Sequence, residues 1–204
     1  QKELIQMIVS SATYRQQSVT TAEQLAVDPG NRLLGRGPRF RLPAEFIRDQ
    51  ALAVSGLLVP RVGGPSVHPY QPHGLWKEIS HFGSTPATKQ VFVQDHGEKL
   101  YRRSLYTIVK RTSPHPAMAA FDAPNREMCV VDRSKTNTPL QALVTLNDPQ
   151  FAEAARVFAS SILQEQTAND DRSRIEQAFE RISSRPPTDS EITMIAQFLA
   201  AERA

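Results

Sequence analysis

The sequence predicts a mainly α fold: an irregular helical domain with long, Pro-rich ordered loops, at most a small hairpin, and a C-terminal antiparallel three-helix unit. Three observations carry this expectation. The last quarter holds three consecutive amphipathic stretches, each opened by a capping residue. Only Lys89–Val93 has the character of a short strand. The 15 prolines outnumber the 9 glycines, and most lie between Pro29 and Pro149, so the connections of the first three quarters are stiffened ones.

Residues 2–16 read as a helix, with Leu4, Ile5, Ile8 and Ala12 at helical spacing. The chain starts at Gln1 in what reads as mid-helix, the expectation for a piece of something longer. Val19 to Asn31 reads as a polar connection ending in the turn Asp28-Pro29-Gly30. Arg32 to Arg41 is a basic, Gly-punctuated loop. It lacks the strand-to-helix setting and Lys-Ser/Thr of a phosphate loop. Its arginines could hold an anion or tie the loop to acidic neighbours.

Pro43 opens a predicted helix over 43–58, with Ile47, Ala51, Val54 and Leu58 as its stripe. Pro60 to Thr88 is broken repeatedly, with one helical turn over Leu75–Ile79. Trp76 reads either as the core anchor of that loop or as part of an exposed surface. Glu98–Lys110 is predicted helical, because Tyr101, Leu105, Ile108 and Val109 share a face. A short helical piece follows around Met118–Phe121, then an extended polar loop over 122–138. Pro139–Leu146 forms a short apolar helix after a Thr138 cap.

The clearest elements are last. Asp148 caps and Pro149 opens a helix to about Gln164, bearing Phe151, Ala155, Phe158 and Ile162. A second begins at Asp170 or Asp171 and carries Ile175, Ala178, Phe179 and Ile182, until Arg185-Pro186-Pro187 stops it. Thr188 to Glu191 is a capping box for a third, with Ile192, Ile195, Ala196 and Leu199 facing inward.

Composition narrows the chemistry. Net charge is +3, and Gly97–Thr138 holds eight Lys/Arg against four Asp/Glu, an excess of four. That is a solvated face rather than the concentrated basic patch of a nucleic-acid binder. Cys129 is the only cysteine, which excludes an internal disulfide and any Cys-x-x-Cys site; beside Val130-Val131 it reads as buried and inert. No apolar run approaches the roughly 20 residues of a membrane span.

No catalytic signature is present. The histidines His68, His73, His81, His96 and His115 form neither an i, i+4 pair nor a His-Glu-x-x-His pattern. The candidate functional cluster lies in the stretch from Gln94 to Pro149. Asp95, His96 and Glu98 offer proton transfer, or simply brace the start of the following helix. Asp122, Glu127 and Asp132 could supply paired carboxylates. Arg102, Arg103, Arg111, Arg126 and Arg133 read as their neutralising partners. Asn125 and Asn137 complete the cluster as rigid loop residues.

Long strings within the chain resemble one family. They include Arg39-Phe40-Arg41-Leu42-Pro43-Ala44-Glu45, Gly63-Gly64-Pro65-Ser66-Val67, Pro69-Tyr70-Gln71-Pro72, Arg111-Thr112-Ser113-Pro114, Phe121 to Glu127, Thr136 to Leu143 and Leu146 to Phe151. From about Leu4 to Pro187 the sequence resembles the planctomycete-specific C-terminal domain of unknown function found behind cytochrome-c-like domains. The resemblance implies a large exported parent protein, with c-type haem only in upstream domains and no cofactor in this chain. It also implies that residues 1–28 are the end of a preceding domain plus a linker, and 29–204 the helical domain proper. No catalytic residues are implied. His73 and His115 stand where the family is expected to carry Pro, which argues against both as metal ligands.

The expectation is an extracytoplasmic, non-catalytic interaction module, docking on or beside a c-type cytochrome-like domain of the same polypeptide. The alternative is a carbohydrate-binding or polysaccharide-degrading domain, with His96, Asp122 and Arg126 in a loop-built cleft. Nucleic acid is not an expected partner.

Overall fold

The computed structural model describes residues 1–79, 91–165 and 170–203. Among them the helices are α1 (Lys2–Ser10), α2 (Ala22–Val27), α3 (Ala44–Val54), α4 (Leu75–Glu78), α5 (Pro116–Ala120), α6 (Pro139–Asn147), α7 (Pro149–Gln164), α8 (Asp171–Ser183) and α9 (Asp189–Glu202). Two 3₁₀ turns, Gly97–Tyr101 and Ser104–Tyr106, lie between α4 and α5. Strand pairing among the described residues amounts to two isolated parallel bridges, Val59 with Arg102 and Val67 with Thr107. The fold is mainly α, as predicted. Of the strand-like run, Lys89 and Gln90 lie outside the described residues, and Val91–Val93 pair with no strand. His81 is outside them too. The chain forms two compact units, Gln1–Arg41 and Leu42–Ala204.

In the first unit, α1 ends at Ser10 rather than continuing to residue 16, because the Ser11 hydroxyl donates to the Ile8 carbonyl and turns follow. Its apolar face is open: Leu4, Ile5 and Ile8 are all exposed. Residues 22–27 are helical, where a polar connection was expected. The Thr21–Gln24 capping box starts α2, since each side chain accepts from the other's backbone N–H. The basic loop is held from within. The Asp28 carboxylate accepts the Arg32 and Leu33 N–H groups, and Arg36 donates to the Pro29 carbonyl. Gly37 has no substitute there, because a Cβ would sit 2.6 Å from the Gln16 carbonyl oxygen.

In the second unit the capping chemistry read from sequence sets most helix starts. Asp148 accepts the Gln150 N–H at α7, Asp170 accepts Ser173 N–H at α8, and Thr188 with Glu191 closes the box at α9. Helix α8 packs on both α7 and α9, and α3 on α7. The predicted stripe of α3 is displaced. Its buried residues are Ala44, Arg48 and Leu52, with Ser55 just beyond, while Ile47, Ala51 and Val54 are half-buried and Phe46 is exposed. The helix stops at Val54, and Gly56 takes φ +79°.

The helix predicted over Glu98–Lys110 is absent. Two 3₁₀ turns stand there, separated by an extended Arg102 and by Arg103. Backbone pairing with the Pro60–Gly74 loop outweighs the local period. Val59 N–H donates to Tyr101, Val67 N–H to Tyr106, and Ile108 N–H back to Val67, at 2.8–3.0 Å. Trp76 proves to be an anchor. It packs on Phe92 and His68 at centroid distances of 5.3 and 6.2 Å, with the Lys110 ammonium 4.4 Å above it. Cys129 is exposed, not buried. Its neighbours Met128, Val130 and Val131 are exposed as well.

Candidate functional site

The polar middle of the chain is organised around Arg48, a residue the sequence did not single out. Its position on α3 places the guanidinium against the 97–104 segment. Nε donates to Gln150 Oε1 at 2.5 Å, Nη1 to the Arg102 carbonyl at 2.8 Å and Ser104 Oγ at 3.1 Å, and Nη2 to the Leu100 carbonyl at 2.7 Å. Gln150 adds a bond to the same Leu100 carbonyl. Burial lowers the Arg48 pKa to about 10, partly offset by Asp49 and Asp148, so the cation persists at neutral pH. Two of these four acceptors are backbone carbonyls and two are neutral side-chain oxygens, which is a structural use of arginine.

Arg102 repeats the pattern one step further. It is 1% exposed and donates to the carbonyls of Pro65, Arg61 and Gly63, and its guanidinium stacks 3.7 Å over the Tyr106 ring. Gly64 takes φ +90°, and a Cβ added there would lie 3.5 Å from Arg102 Nη1. The Tyr106 hydroxyl in turn accepts the Gly63 N–H. Among the described residues no carboxylate pairs with it, so the expected role of Arg102 as an acid's partner is replaced by a grip on backbone.

The other predicted residues divide into groups. Asp95 accepts the His68 N–H at 2.8 Å and lies 3.4 Å from Lys99 Nζ; burial raises its pKa, but these donors more than reverse that and leave it lowered. His96 and Glu98 are exposed at the start of the first 3₁₀ turn, and His96 makes no capping hydrogen bond. Asp122, in a left-handed conformation at φ +61°, accepts from the Thr136 N–H and hydroxyl. Asn125 accepts the Glu127 N–H in a local turn. Arg111 and Asn137 are exposed.

Three of the arginines do come together. Arg103, Arg126 and Arg133 line a cavity of about 320 Å³ with Glu45, Asp49 and Phe46. Arg133 pairs with Glu45 at 2.8 Å, and Arg103 approaches Asp49 at 3.5 Å. His96 and Asp122 do not line this cavity.

A larger groove of about 620 Å³ lies elsewhere in this unit, between α5, α6 and the Tyr70–His73 loop. Its wall is chiefly apolar: Pro116, Ala117, Leu140, Leu143 and Val144. Leu140 and Leu143 remain more than half exposed. Gln141, on the buried side of α6, ties that helix down by donating to the Ala120 and Thr136 carbonyls. At the groove's edge His115 Nε2 bonds the Tyr70 carbonyl at 2.7 Å. Its Nδ1 is buried and has no hydrogen-bond partner among the described residues, and burial lowers its pKa. Beneath, the Tyr70 and Tyr101 hydroxyls both donate to Glu153, at 3.1 and 2.9 Å. Sequence offered no signal for Glu153, because its partners are 83 and 52 residues away. Among the described residues no group of three or more His, Cys, Asp or Glu could hold a metal ion, and no helix is long and apolar enough to cross a membrane.

Together these features define a mainly α domain whose polar loops are stitched to the frame by buried arginines. The family model described as a protein of unknown function, DUF1553 (PSD1), matches residues 1–199, and the chain belongs to that family. No curated protein and no solved structure matches the chain.

Proposed function

We propose that this chain is a non-catalytic interaction module, extracytoplasmic, which docks on or beside a c-type cytochrome-like domain of the same polypeptide. One observation carries the docking role: the α5–α6 groove leaves Leu140 and Leu143 exposed, while Asp95, Arg102, Asp122 and Arg133 are engaged within the fold. Contiguous exposed apolar surface on a folded domain marks interaction sites. The partner's identity and the compartment are supported by the family resemblance alone. Titrating the chain with the upstream domains of its parent polypeptide by calorimetry tests the proposal. Saturable binding that Leu143→Glu removes is the expected result; no association at high micromolar concentration contradicts it.

A further inference from the structure

The cavity lined by Arg103, Arg126 and Arg133 has a charge imbalance that the fold itself leaves open. Two carboxylates serve it. Glu45 is taken by Arg133 at 2.8 Å. Asp49 accepts the Ser104 N–H at 2.7 Å and is shared between Arg103 at 3.5 Å and Arg48 at 3.9 Å. Arg126 lines the cavity, is exposed, and makes no hydrogen bond or ion pair among the described residues. Its backbone is held at φ +62°, a conformation that costs a non-glycine residue of order 1 kcal/mol or more and that clusters where function demands it.

The rest of the wall is Pro43, Phe46, Leu105 and one polar residue, Ser104. Phe46 is 56% and Leu105 72% exposed beside the arginines. A site that combines a spare guanidinium with apolar flanks recognises a carboxylate carried next to an apolar group. At about 320 Å³ the cavity is at the small end of ligand pockets, so it accommodates a side chain and its neighbour better than a cofactor. We infer that the Arg103–Arg126–Arg133 cavity binds an acidic peptide segment of a partner protein, with one Asp or Glu carboxylate on Arg126 and an adjacent apolar side chain against Phe46 and Leu105. This site is separate from the α5–α6 groove and does not depend on it.

The test titrates the full chain with a six-residue peptide alternating Phe and Glu, and with its Phe/Gln counterpart. The acidic peptide binds roughly tenfold or more tightly than the amide peptide, and rising salt weakens it, as charge-assisted contacts require. Arg126→Gly relieves the left-handed strain while deleting the guanidinium, so it folds and loses that preference; Arg126→Lys retains part of it. Equal binding of the two peptides, or an acidic preference unchanged in Arg126→Gly, overturns the inference. Arg126-dependent binding of an oligouronate more tightly than the peptide overturns it in favour of an acidic saccharide.

Discussion

Arg48 and Arg102 form a relay: the Arg48 guanidinium donates to the Arg102 carbonyl at 2.8 Å, and the Arg102 guanidinium donates onward to the carbonyls of Arg61, Gly63 and Pro65. Two buried cations thus tie α3, the 3₁₀ segment and the Pro60–Gly74 loop into one polar core. Buried charge is tolerated here because nearly every donor has an acceptor.

Arg48→Met leaves the Leu100 and Arg102 carbonyls and Gln150 short of donors at a buried position. Each lost partner of this kind costs about 1–3 kcal/mol, so a total of ~3 kcal/mol or more is expected from urea denaturation. Arg48→Lys keeps the charge but not the fork geometry and falls between the two.

Arg102→Lys keeps charge but loses the forked grip on three separate carbonyls and the stacking on Tyr106. A loss of roughly 2 kcal/mol is expected. Hydrogen exchange then speeds up selectively at the Val67 and Ile108 amides, which hold the loop to the 3₁₀ segment. Uniform acceleration throughout the unit would show that Arg102 acts globally instead.

Tyr70 and Tyr101 share the Glu153 carboxylate, and both phenols are pushed above their ordinary pKa, by burial first and by Glu153 second. A group whose folded pKa is raised contributes stability below its unfolded pKa and loses it as pH rises through the folded one. Stability therefore declines above about pH 10, the ordinary phenol value. Glu153→Gln brings both phenol ionisations down in an ultraviolet titration.

His115 moves the other way. Burial, and then the Arg48 charge, lower its pKa, against the pull of the Tyr70 carbonyl and Asp148. The unfolded chain takes up the proton first, so stability is full above about pH 6.5 and falls as the solution is acidified toward the folded value. Urea midpoints at pH 8 and pH 5.5 measure this. His115→Gln, which can keep a donor on the Tyr70 carbonyl, reduces the difference.

Helices α6 to α9 were legible in the sequence because each start carries its own local chemistry: Thr138-Pro139, Asp148-Pro149, Asp170 and Thr188 with Glu191. Where long-range pairing decides, the reading failed. Tyr101, Leu105, Ile108 and Val109 fit a helical face, yet Val59 and Val67 claim the backbone of that segment. Arg48 carries no local signal for the same reason. A lone arginine beside an apolar stripe reads as solvated, and only the fold shows the carbonyls that surround it. Of the candidate cluster, the sequence supplied Arg103, Arg126 and Arg133, but nothing local distinguished them from Arg111, which is absent from their cavity wall.

The central claim is that the polar middle serves as internal stitching while the α5–α6 groove meets a partner. Hydrogen exchange of the full chain, with and without the upstream domains of its parent polypeptide, tests it most directly. Protection concentrated in 116–120 and 139–147 on adding those domains is the predicted result. No protection there, together with protection of the His96 and Asp122 loops on adding a polysaccharide, would contradict it.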